Sequence, residues 1–258
     1  MLLALDIGNT HTVLGVYNGT ELVFHRRTAT VSFATEDDLW IRLRALLETE
    51  PAGLDAIEAV ILASVVPVLT ETWTGMCRRH LGLEPLLVSA GIDLGIEVRV
   101  DPPASAGADR LANAVAARYR YGVPAVVVDL GTATTFDVID ATGAYIGGVI
   151  APGVKTASEE LFRRAARLAK VDILPPQRVI GSTTEGSLRS GLYLGTLAMI
   201  DGLLARIAGE LGTPPRIIFT GGLSDPFQEA FAERGEVDPW LTLEGLRLIH
   251  ERVRGASG

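Results

Sequence analysis

Short apolar runs alternate with longer amphipathic segments along the chain, and this pattern predicts an α/β protein. The apolar runs suit buried strands and are Leu2–Leu5, Val13–Tyr17, Glu21–Arg27, Ala59–Val66, Pro85–Ser89, Ala125–Val128, Thr135–Ile139 and Arg216–Phe219. Apolar residues recur at helical spacing in Glu36–Glu48, Thr70–Leu81, Ser105–Tyr121, Lys155–Ala169, Thr184–Leu211 and Leu243–Arg254. Between the third strand of the second half and its first helix, we expect a glycine-rich loop over Gly147–Gly153.

One pattern occurs twice. A buried strand ends in Asp6-Ile-Gly-Asn9, and 123 positions later another ends in Asp129-Leu-Gly-Thr132. Each copy continues with a second strand, a turn (Asn18-Gly19 or Ala141–Gly143) and a third strand. The offset is close to half of the 258 residues. We therefore predict a duplicated fold with one half over residues 1–115 and the other over residues 116–258.

Composition excludes several classes of protein. The 23 basic and 31 acidic residues give a net charge of −8, which argues against a broad nucleic-acid-binding face. Cys77 is the single cysteine, so no disulfide framework is expected. The longest strongly apolar stretch, Ala59–Leu69, is far short of a membrane span, and the first residues lack the pattern of a signal peptide. We expect a cytoplasmic protein with no nucleic-acid or membrane partner.

The first candidate site is the loop Asp6-Ile-Gly-Asn-Thr-His-Thr12. Gly8 permits a tight turn and close approach of a ligand, while the amide and hydroxyl groups of Asn9, Thr10 and Thr12 suit a phosphate. Asp6 can hold a hydrated divalent cation. Taken alone, the same residues also suit an ordinary hairpin turn.

The second half offers two further loops. Asp129-Leu-Gly-Thr-Ala-Thr-Thr135 joins an aspartate to several threonines, which suits a phosphate or a cation, although threonine also favours a plain β-hairpin. Thr220-Gly-Gly222 follows a strand, and its glycines permit close approach of a flat ring such as adenine. A simple turn at the strand end is the alternative for that motif.

A carboxylate lies at the start of the clearest predicted helix, in Gly107-Ala-Asp-Arg110. Asp109 suits a helix cap, but it also suits a base that accepts a hydroxyl proton, and we expect the helix dipole to keep it ionised. Arg110 can orient a carboxylate or phosphate oxygen. The four histidines show no spacing typical of metal ligands.

Two Asp-x-Gly loops on duplicated sheets, with a Gly-Gly loop, resemble the acetate and sugar kinase, Hsp70 and actin superfamily. That resemblance implies a duplicated ribonuclease H-like (actin-like ATPase) α/β fold, with two mixed β-sheet domains flanked by helices and a cleft between them. Within the superfamily the ordered motifs resemble type III pantothenate kinases over about residues 2–250. These motifs are Asp6–Thr10, Ser64–Pro67, Gly107–Asn113, Asp129–Thr134, Gly147-Gly148, Ile150–Gly153, Thr184, Ser190-Gly191 and Thr220–Gly222.

The resemblance implies that the protein phosphorylates pantothenate with ATP in the first step of coenzyme A synthesis, acts as a homodimer, and uses Asp109 as proton acceptor. The ATP-binding positions that it implies are Asp6, Ile7, Gly8, Asn9, Thr10, His11, Thr12, Val13, Gly131, Thr132, Gly221 and Gly222. The pantothenate-binding positions that it implies are Val100, Gly107, Ala108, Asp109, Arg110 and Thr184. Asp129 would hold a monovalent cation (potassium or ammonium), and Asp6 would hold magnesium.

The chain departs from the family pattern ahead of Asp109. A tyrosine, any residue and Asn-Pro are usual there, whereas this chain has Val100, Asp101, Pro102 and Pro103. Thr183 replaces an asparagine, and a lysine sometimes found after the first loop is absent. Two other functions therefore stay open: a nucleotide-binding regulator without catalysis, and a kinase or phosphatase of the same superfamily that acts on a different hydroxyl compound.

Overall fold

The computed structural model describes residues 1–48, 53–165, 168, 170–222 and 225–255. The strands in these ranges are β1 (Leu2–Ile7), β2 (His11–Asn18), β3 (Glu21–Ala29), β4 (Ala59–Ser64), β5 (Leu86–Leu87), β6 (Ala125–Leu130), β7 (Ala133–Ile139), β8 (Tyr145–Pro152), β9 (Arg216–Thr220) and β10 (Glu236–Val237). The α-helices are α1 (Glu36–Leu47), α2 (Pro67–Met76), α3 (Ala108–Ala116), α4 (Val154–Arg164), α5 (Thr184–Leu211), α6 (Gln228–Ala232) and α7 (Leu241–Gly255).

The two sheets have the same strand order, which is the structural mark of a duplication. One sheet runs β3-β2-β1-β4-β5 and the other runs β8-β7-β6-β9-β10, so in both cases the order is third, second, first, fourth, fifth. In both, the first strand is antiparallel to the second and parallel to the fourth. Each sheet is therefore mixed, as the sequence predicts.

The chain divides into two compact units. The first contains residues 1–116 and the C-terminal segment from Leu241, and the second contains residues 117–240. The sequence-based division assigns α7 to the second half, and here the structure corrects it. Helix α7 packs along α3, where a Cβ added at Gly245 would overlap the backbone of Ala112. This close helix contact places α7 with the first unit.

Each unit has its own apolar core. In the first, β1 side chains such as Leu3 and Leu5 pack with Leu43 of α1 and Met76 of α2. In the second, the core includes the aromatic rings of Phe136, Tyr193, Phe219, Phe227 and Phe231. Phe219 and Phe231 stack with their centroids 4.1 Å apart. The cores hold the carboxyl ends of the central strands in place.

Helix boundaries follow from local chemistry. Thr35 and Asp38 form a reciprocal capping box at the start of α1, with Asp38 N–H donating to Thr35 Oγ1 at 3.2 Å and Thr35 N–H to Asp38 Oδ2 at 3.0 Å. Thr183 caps α5, and Gly212 ends that helix with a φ of 69°. The start of α3 is at Ala108 rather than at Ser105, because residues 103–105 form a separate short turn.

Several elements differ from the sequence-based expectation. Gly147–Gly153 is not a loop: its residues up to Pro152 belong to β8, because pairing with β7 continues through Gly147 and Gly148. Helix α4 ends at Arg164, and positions 166, 167 and 169 of the longer predicted helix lie outside the described residues. Helix α6 and strand β10 are too short to give a periodic signal, and the sequence pattern missed them.

Helix α5 is the longest helix in the described part of the chain, and it is relevant to whether any segment is long and apolar enough to span a membrane. Its 28 residues include a window with mean hydropathy 1.3, so by length and composition the helix is capable of spanning a membrane. This segment, and not the apolar stretch Ala59–Leu69, is the candidate for a membrane span among the described residues. One side of α5, with Leu197, Ile200 and Leu204, is buried in the core of the second unit, which is how a core helix meets the same criterion.

Candidate functional site

The first candidate loop joins β1 to β2 in the first unit. Asp6 is half-buried at the end of β1, and the exposed tip consists of Asn9, Thr10 and His11. A hydrogen bond of 3.0 Å from Gly8 N–H to the His11 carbonyl closes the turn. Ile7 is fully buried, so its side chain belongs to the core and only its backbone can face a ligand.

Thr12 has a different role from the one its sequence position suggests. Its side chain is 4% exposed, and its Oγ1 lies 3.0 Å from Oγ1 of Thr30, which follows β3. The sequence predicts that the Thr12 hydroxyl faces a phosphate. The structure corrects this, because the hydroxyl is turned inward and engaged by another side chain.

Asp109 lies beside this loop's strand in the same unit. Strands β1 and β4 are parallel with Ile7 opposite Ser64, so their carboxyl ends share one edge of the sheet. Val65 N–H donates to the Ile7 carbonyl at 3.1 Å, and a Cβ added at Gly107 would lie 3.6 Å from Cγ1 of Val65. The start of α3 is thereby brought to the edge that carries the first loop.

The Asp109 carboxyl is held in place by its own helix turn. Its Oδ1 accepts the Arg110 N–H at 2.8 Å, and a Cβ at Gly107 would lie 2.5 Å from that oxygen, so only glycine leaves the carboxyl room. Burial raises the pKa of Asp109 above the ordinary 3.8, against the lowering effects of the Arg110 N–H and guanidinium. Desolvation outweighs these lowering effects, so Asp109 is a stronger base than an exposed aspartate, and the expected effect of the helix dipole stays a prediction.

The second unit carries the loop between β6 and β7. Thr132 is exposed at its tip, and Gly131 N–H donates to the Ala133 carbonyl at 2.9 Å, so this turn is one residue shorter than its counterpart. Gly221 lies directly against it. Its φ is +97°, and a Cβ there would overlap Oδ1 of Asp129 and the backbone of Leu130. Asp129 and Gly221, which the sequence predicts as separate site residues, thus lie together at one edge of the sheet.

The neighbours of the two loop aspartates differ. Asp129 has Thr135 opposite it on β7 and Thr220 beside it on β9, whereas Asp6 has Val13 and Ala63 at the matching places. Residues opposite each other in a sheet share one face. Asp129 is therefore flanked by hydroxyl-bearing side chains, and Thr135 Oγ1 is buried without a hydrogen-bond partner in the described part of the chain. This oxygen-rich set fits a cation better than the surroundings of Asp6 do.

The other predicted positions are more dispersed. Val100 and Gly222 are half-buried, and Thr184 is exposed in the first turn of α5, where Ser187 Oγ donates to the Gly181 carbonyl at 3.2 Å. No group of three or more His, Cys, Asp or Glu side chains suited to a metal occurs among the described residues. A divalent ion would thus have few protein ligands, as is common when substrate phosphates and water complete its shell.

Some residues at these loops were missed by sequence reasoning. Thr30 and Thr156 both donate hydroxyl hydrogen bonds to loop carbonyls, at 2.7 Å to Gly8 and 2.7 Å to Thr132. Each lies more than twenty positions from the residue whose carbonyl it contacts, so no local motif marks it.

Comparison with known proteins agrees with this geometry. The family model for type III pantothenate kinase matches residues 2–206. A type III pantothenate kinase of Thermomicrobium roseum is 46% identical over 258 residues, covering 100% of both chains. One from Koribacter versatilis is 44% identical over 262 residues, covering 98% of this chain and 96% of the relative.

Solved structures confirm the fold. A Campylobacter jejuni protein described as a Baf family transcriptional activator has a TM-score of 0.60 at 18% identity, covering 98% of this chain and 99% of that one. MreB 5 of Spiroplasma citri has a TM-score of 0.56 at 12% identity, covering 99% and 97%. These likenesses show the actin-like architecture that the sequence predicts. With the family match spanning most of its length, the chain belongs to the type III pantothenate kinase family.

Proposed function

We propose that the protein transfers the γ-phosphoryl group of ATP to pantothenate, giving 4'-phosphopantothenate and ADP, the first step of coenzyme A biosynthesis. The observation that carries the proposal is Asp109: a half-buried carboxylate with a raised pKa, in an intact Gly107–Arg110 motif, in a chain of this family. A general base works best when its pKa is shifted towards the working pH.

The proposed reaction is an in-line displacement. Asp109 accepts the proton of the pantothenate hydroxyl as its oxygen bonds to the γ-phosphorus, the bond to the β-γ bridging oxygen breaks, and ADP leaves. Phosphoryl transfer depends mainly on positioning and charge stabilisation. Arg110 would orient an oxygen of pantothenate or phosphate, together with Val100, Gly107, Ala108 and Thr184 as further contacts to pantothenate.

Both strand-end loops would bind ATP through backbone N–H groups. In the first loop, Asn9, Thr10 and His11 are the exposed positions, so they would contact phosphate oxygens. In the second, Gly131 and Thr132 would do so, while the backbone at Gly221 and Gly222 would leave room for adenosine. Such loops bind phosphates without lysines, which suits a chain with a net charge of −8.

Two cations would assist. Asp6 would hold magnesium, which would supply positive charge to offset the charge that develops during transfer. A monovalent cation, potassium or ammonium, would be held by Asp129 with hydroxyl oxygens such as that of Thr135. The threonines paired with Asp129, at the places where Asp6 has Val13 and Ala63, support this division of roles.

We further propose a cytoplasmic homodimer. Helix α5 exposes small side chains at Gly191, Gly195, Ala198 and Ala205, and a Cβ added at Gly191 or Gly195 meets no atom within 4 Å. A second copy is able to approach closely along such a face. Strand β8 adds exposed Ile146 and Ile150 to the surface of the same unit.

One observation favours a different acceptor. Val100 and Pro102 stand where a tyrosine and an asparagine are usual, so an aromatic ring and an amide are absent from this stretch. A kinase for another small hydroxyl compound is therefore the second candidate. A regulator without catalysis is less consistent with the intact Asp109 and Arg110.

An ADP-release assay over pantothenate, sugars and acetate, with and without potassium, tests these proposals. We expect release with pantothenate and a higher rate with potassium than with sodium. Release with a sugar or acetate instead would identify the second candidate. Absence of release with pantothenate at saturating ATP and magnesium would contradict the proposed function.

A further inference from the structure

Thr30 makes three hydrogen bonds to the first loop. Its N–H donates to the Thr10 carbonyl at 2.9 Å, and its Oγ1 donates to the Gly8 carbonyl at 2.7 Å. Its Oγ1 also lies 3.0 Å from Thr12 Oγ1. Because a hydroxyl has one proton and that of Thr30 is used on Gly8, Thr12 is the donor in the third bond. One residue thereby fixes two loop carbonyls and one loop side chain.

The second loop is held at the corresponding place. Gly153, the first residue after β8, donates its N–H to the Thr132 carbonyl at 3.2 Å, as Thr30, the first residue after β3, does to Thr10. The two residues are 123 positions apart, the same offset as between Asp6 and Asp129. A hydroxyl bond to this loop is also present, but it comes from Thr156 and goes to the Thr132 carbonyl at 2.7 Å, whereas Thr30 donates to Gly8, the counterpart of Gly131.

The change of donor has a steric cause. A Cβ added at Gly153 would overlap the carbonyl oxygens of both Gly131 and Thr132, so no threonine fits there. Thr134, the counterpart of Thr12 in strand register, shows the consequence. It is 1% exposed, and its Oγ1 has no hydrogen-bond partner in the described ranges. In the second loop the hydroxyl contact is made instead by Thr156, three residues after Gly153 and in the first turn of α4.

These contacts matter because a phosphate is bound by N–H groups and repelled by carbonyl oxygens. A donor on a loop carbonyl fixes the orientation of that peptide unit, so the orientation of the N–H group in the same unit is fixed as well. Without that donor, the short glycine-containing turn has other accessible conformations. Anchored loops are pre-organised for an anion before it arrives.

We propose that Thr30 and Thr156 are positioning residues that hold the two nucleotide-phosphate loops in their binding conformation, one in each duplicated half. The proposal rests on the proposed function, since it takes both loops as phosphate-binding. Neither threonine touches the nucleotide in it; each acts through the peptide units of its loop. Nucleotide affinity should therefore depend on two hydroxyl groups outside both loop motifs.

The first test is Thr30→Val, which keeps the size and the N–H but removes the hydroxyl. We expect the Kd for ADP, measured by titration calorimetry, and the KM for ATP to rise roughly tenfold, the cost of about one hydrogen bond to a positioned group. The KM for pantothenate should stay within about twofold. Thr30→Ser should restore the wild-type values, because it restores the donor.

Thr28→Val is the matched control for the first loop. Thr28 lies on β3, two positions before Thr30. Its Oγ1 makes only a long contact of 3.5 Å to the Thr12 carbonyl, and its side chain lines a small cavity with Leu39, Leu43 and Trp73. Thr156→Val with Thr156→Ser repeats the test in the second loop. Its control is Ser158→Ala, which removes a 2.8 Å bond to the Lys155 carbonyl within α4.

Two results would overturn the role of Thr30. One is that Thr30→Val binds nucleotide as tightly as Thr28→Val does, and the other is that Thr30→Ser does not restore the wild-type affinity. If Thr30→Val does not fold, the Thr156 pair decides the proposal by the same criteria. Melting temperatures of each variant and its control, compared first, separate a loss of fold from a loss of loop geometry. A wild-type protein that neither binds ADP nor phosphorylates pantothenate would contradict the proposed function instead.

Discussion

At the scale of single residues, opposing forces act on the Asp109 carboxyl. Burial favours its neutral form, while the N–H and guanidinium of Arg110 favour its charged form, and the net effect is a raised pKa. When the pKa of a carboxyl is higher in the folded state than in the unfolded state, ionisation of that carboxyl destabilises the folded state. The feature that makes Asp109 a better base therefore costs folding stability at neutral pH.

Asp109→Asn should separate activity from stability. Loss of the base should lower kcat by at least about a hundredfold, while the Kd for ADP stays unchanged and the melting temperature at neutral pH does not fall, since a buried charge is removed. Asp93→Asn is the control in which a stabilising charge is removed. Arg252 Nε–H donates to the Asp93 carboxyl at 2.8 Å, and this bond lowers the pKa of Asp93. That variant should keep activity and melt earlier. Wild-type turnover in Asp109→Asn would contradict the assigned role.

At the scale of elements, the sequence was informative wherever the apolar period was long or repeated. Strands β1, β2, β6 and β7 and the shared Asp-x-Gly ends were predictable, because each has a buried run and a turn signal. A third strand was expected in the second half, but the length of β8 was not, since Gly147 and Gly148 are typical of loops and only pairing with β7 continues the strand through them. The anchoring role of Thr30 and Thr156 was invisible for another reason: it depends on contacts across strands, which no local spacing encodes.

Helix α7 should show a pH-dependent stability through His250. Burial lowers the pKa of this 9%-exposed side chain below its ordinary 6.5, and Arg254 acts in the same direction. The unfolded chain therefore binds this proton first as the pH falls below 6.5, so the free energy of unfolding falls too. Urea unfolding of wild type and His250→Gln between about pH 7 and about pH 5 measures this. The variant should lose less stability over that range, and an identical slope would contradict the prediction.

At the scale of the whole molecule, the two duplicated sheets have the same strand order but different side chains on their exposed edge strands. The edge strand of the first sheet, β3, carries Arg26 and Arg27, whereas its counterpart β8 exposes isoleucines and glycines. Charged side chains on an edge strand oppose association, and apolar ones permit it. The second unit is thus the one whose surface favours contact with another copy.

Gly195→Arg should convert the proposed dimer to a monomer, because a long charged side chain would stand on the open small-residue face of α5. Sedimentation velocity gives the mass, and Ala45→Arg on the exposed side of α1 is the control. The fold of Gly195→Arg should be intact, since a side chain there has free space. A dimer that survives the substitution would show that this face is not the interface.

Because α7 packs in the first unit, that unit contains both ends of the described chain, and this affects how the protein folds during translation. When a ribosome has made residues 1–116, the surface of α3 that Gly245 later covers is still bare, and it stays so until the final helix leaves the exit tunnel. The second unit is contiguous in the chain and is able to complete its core first. The amino-terminal half, although translated first, is the last to be finished, and a nascent chain stalled before Leu241 presents an uncovered helix to chaperones and proteases.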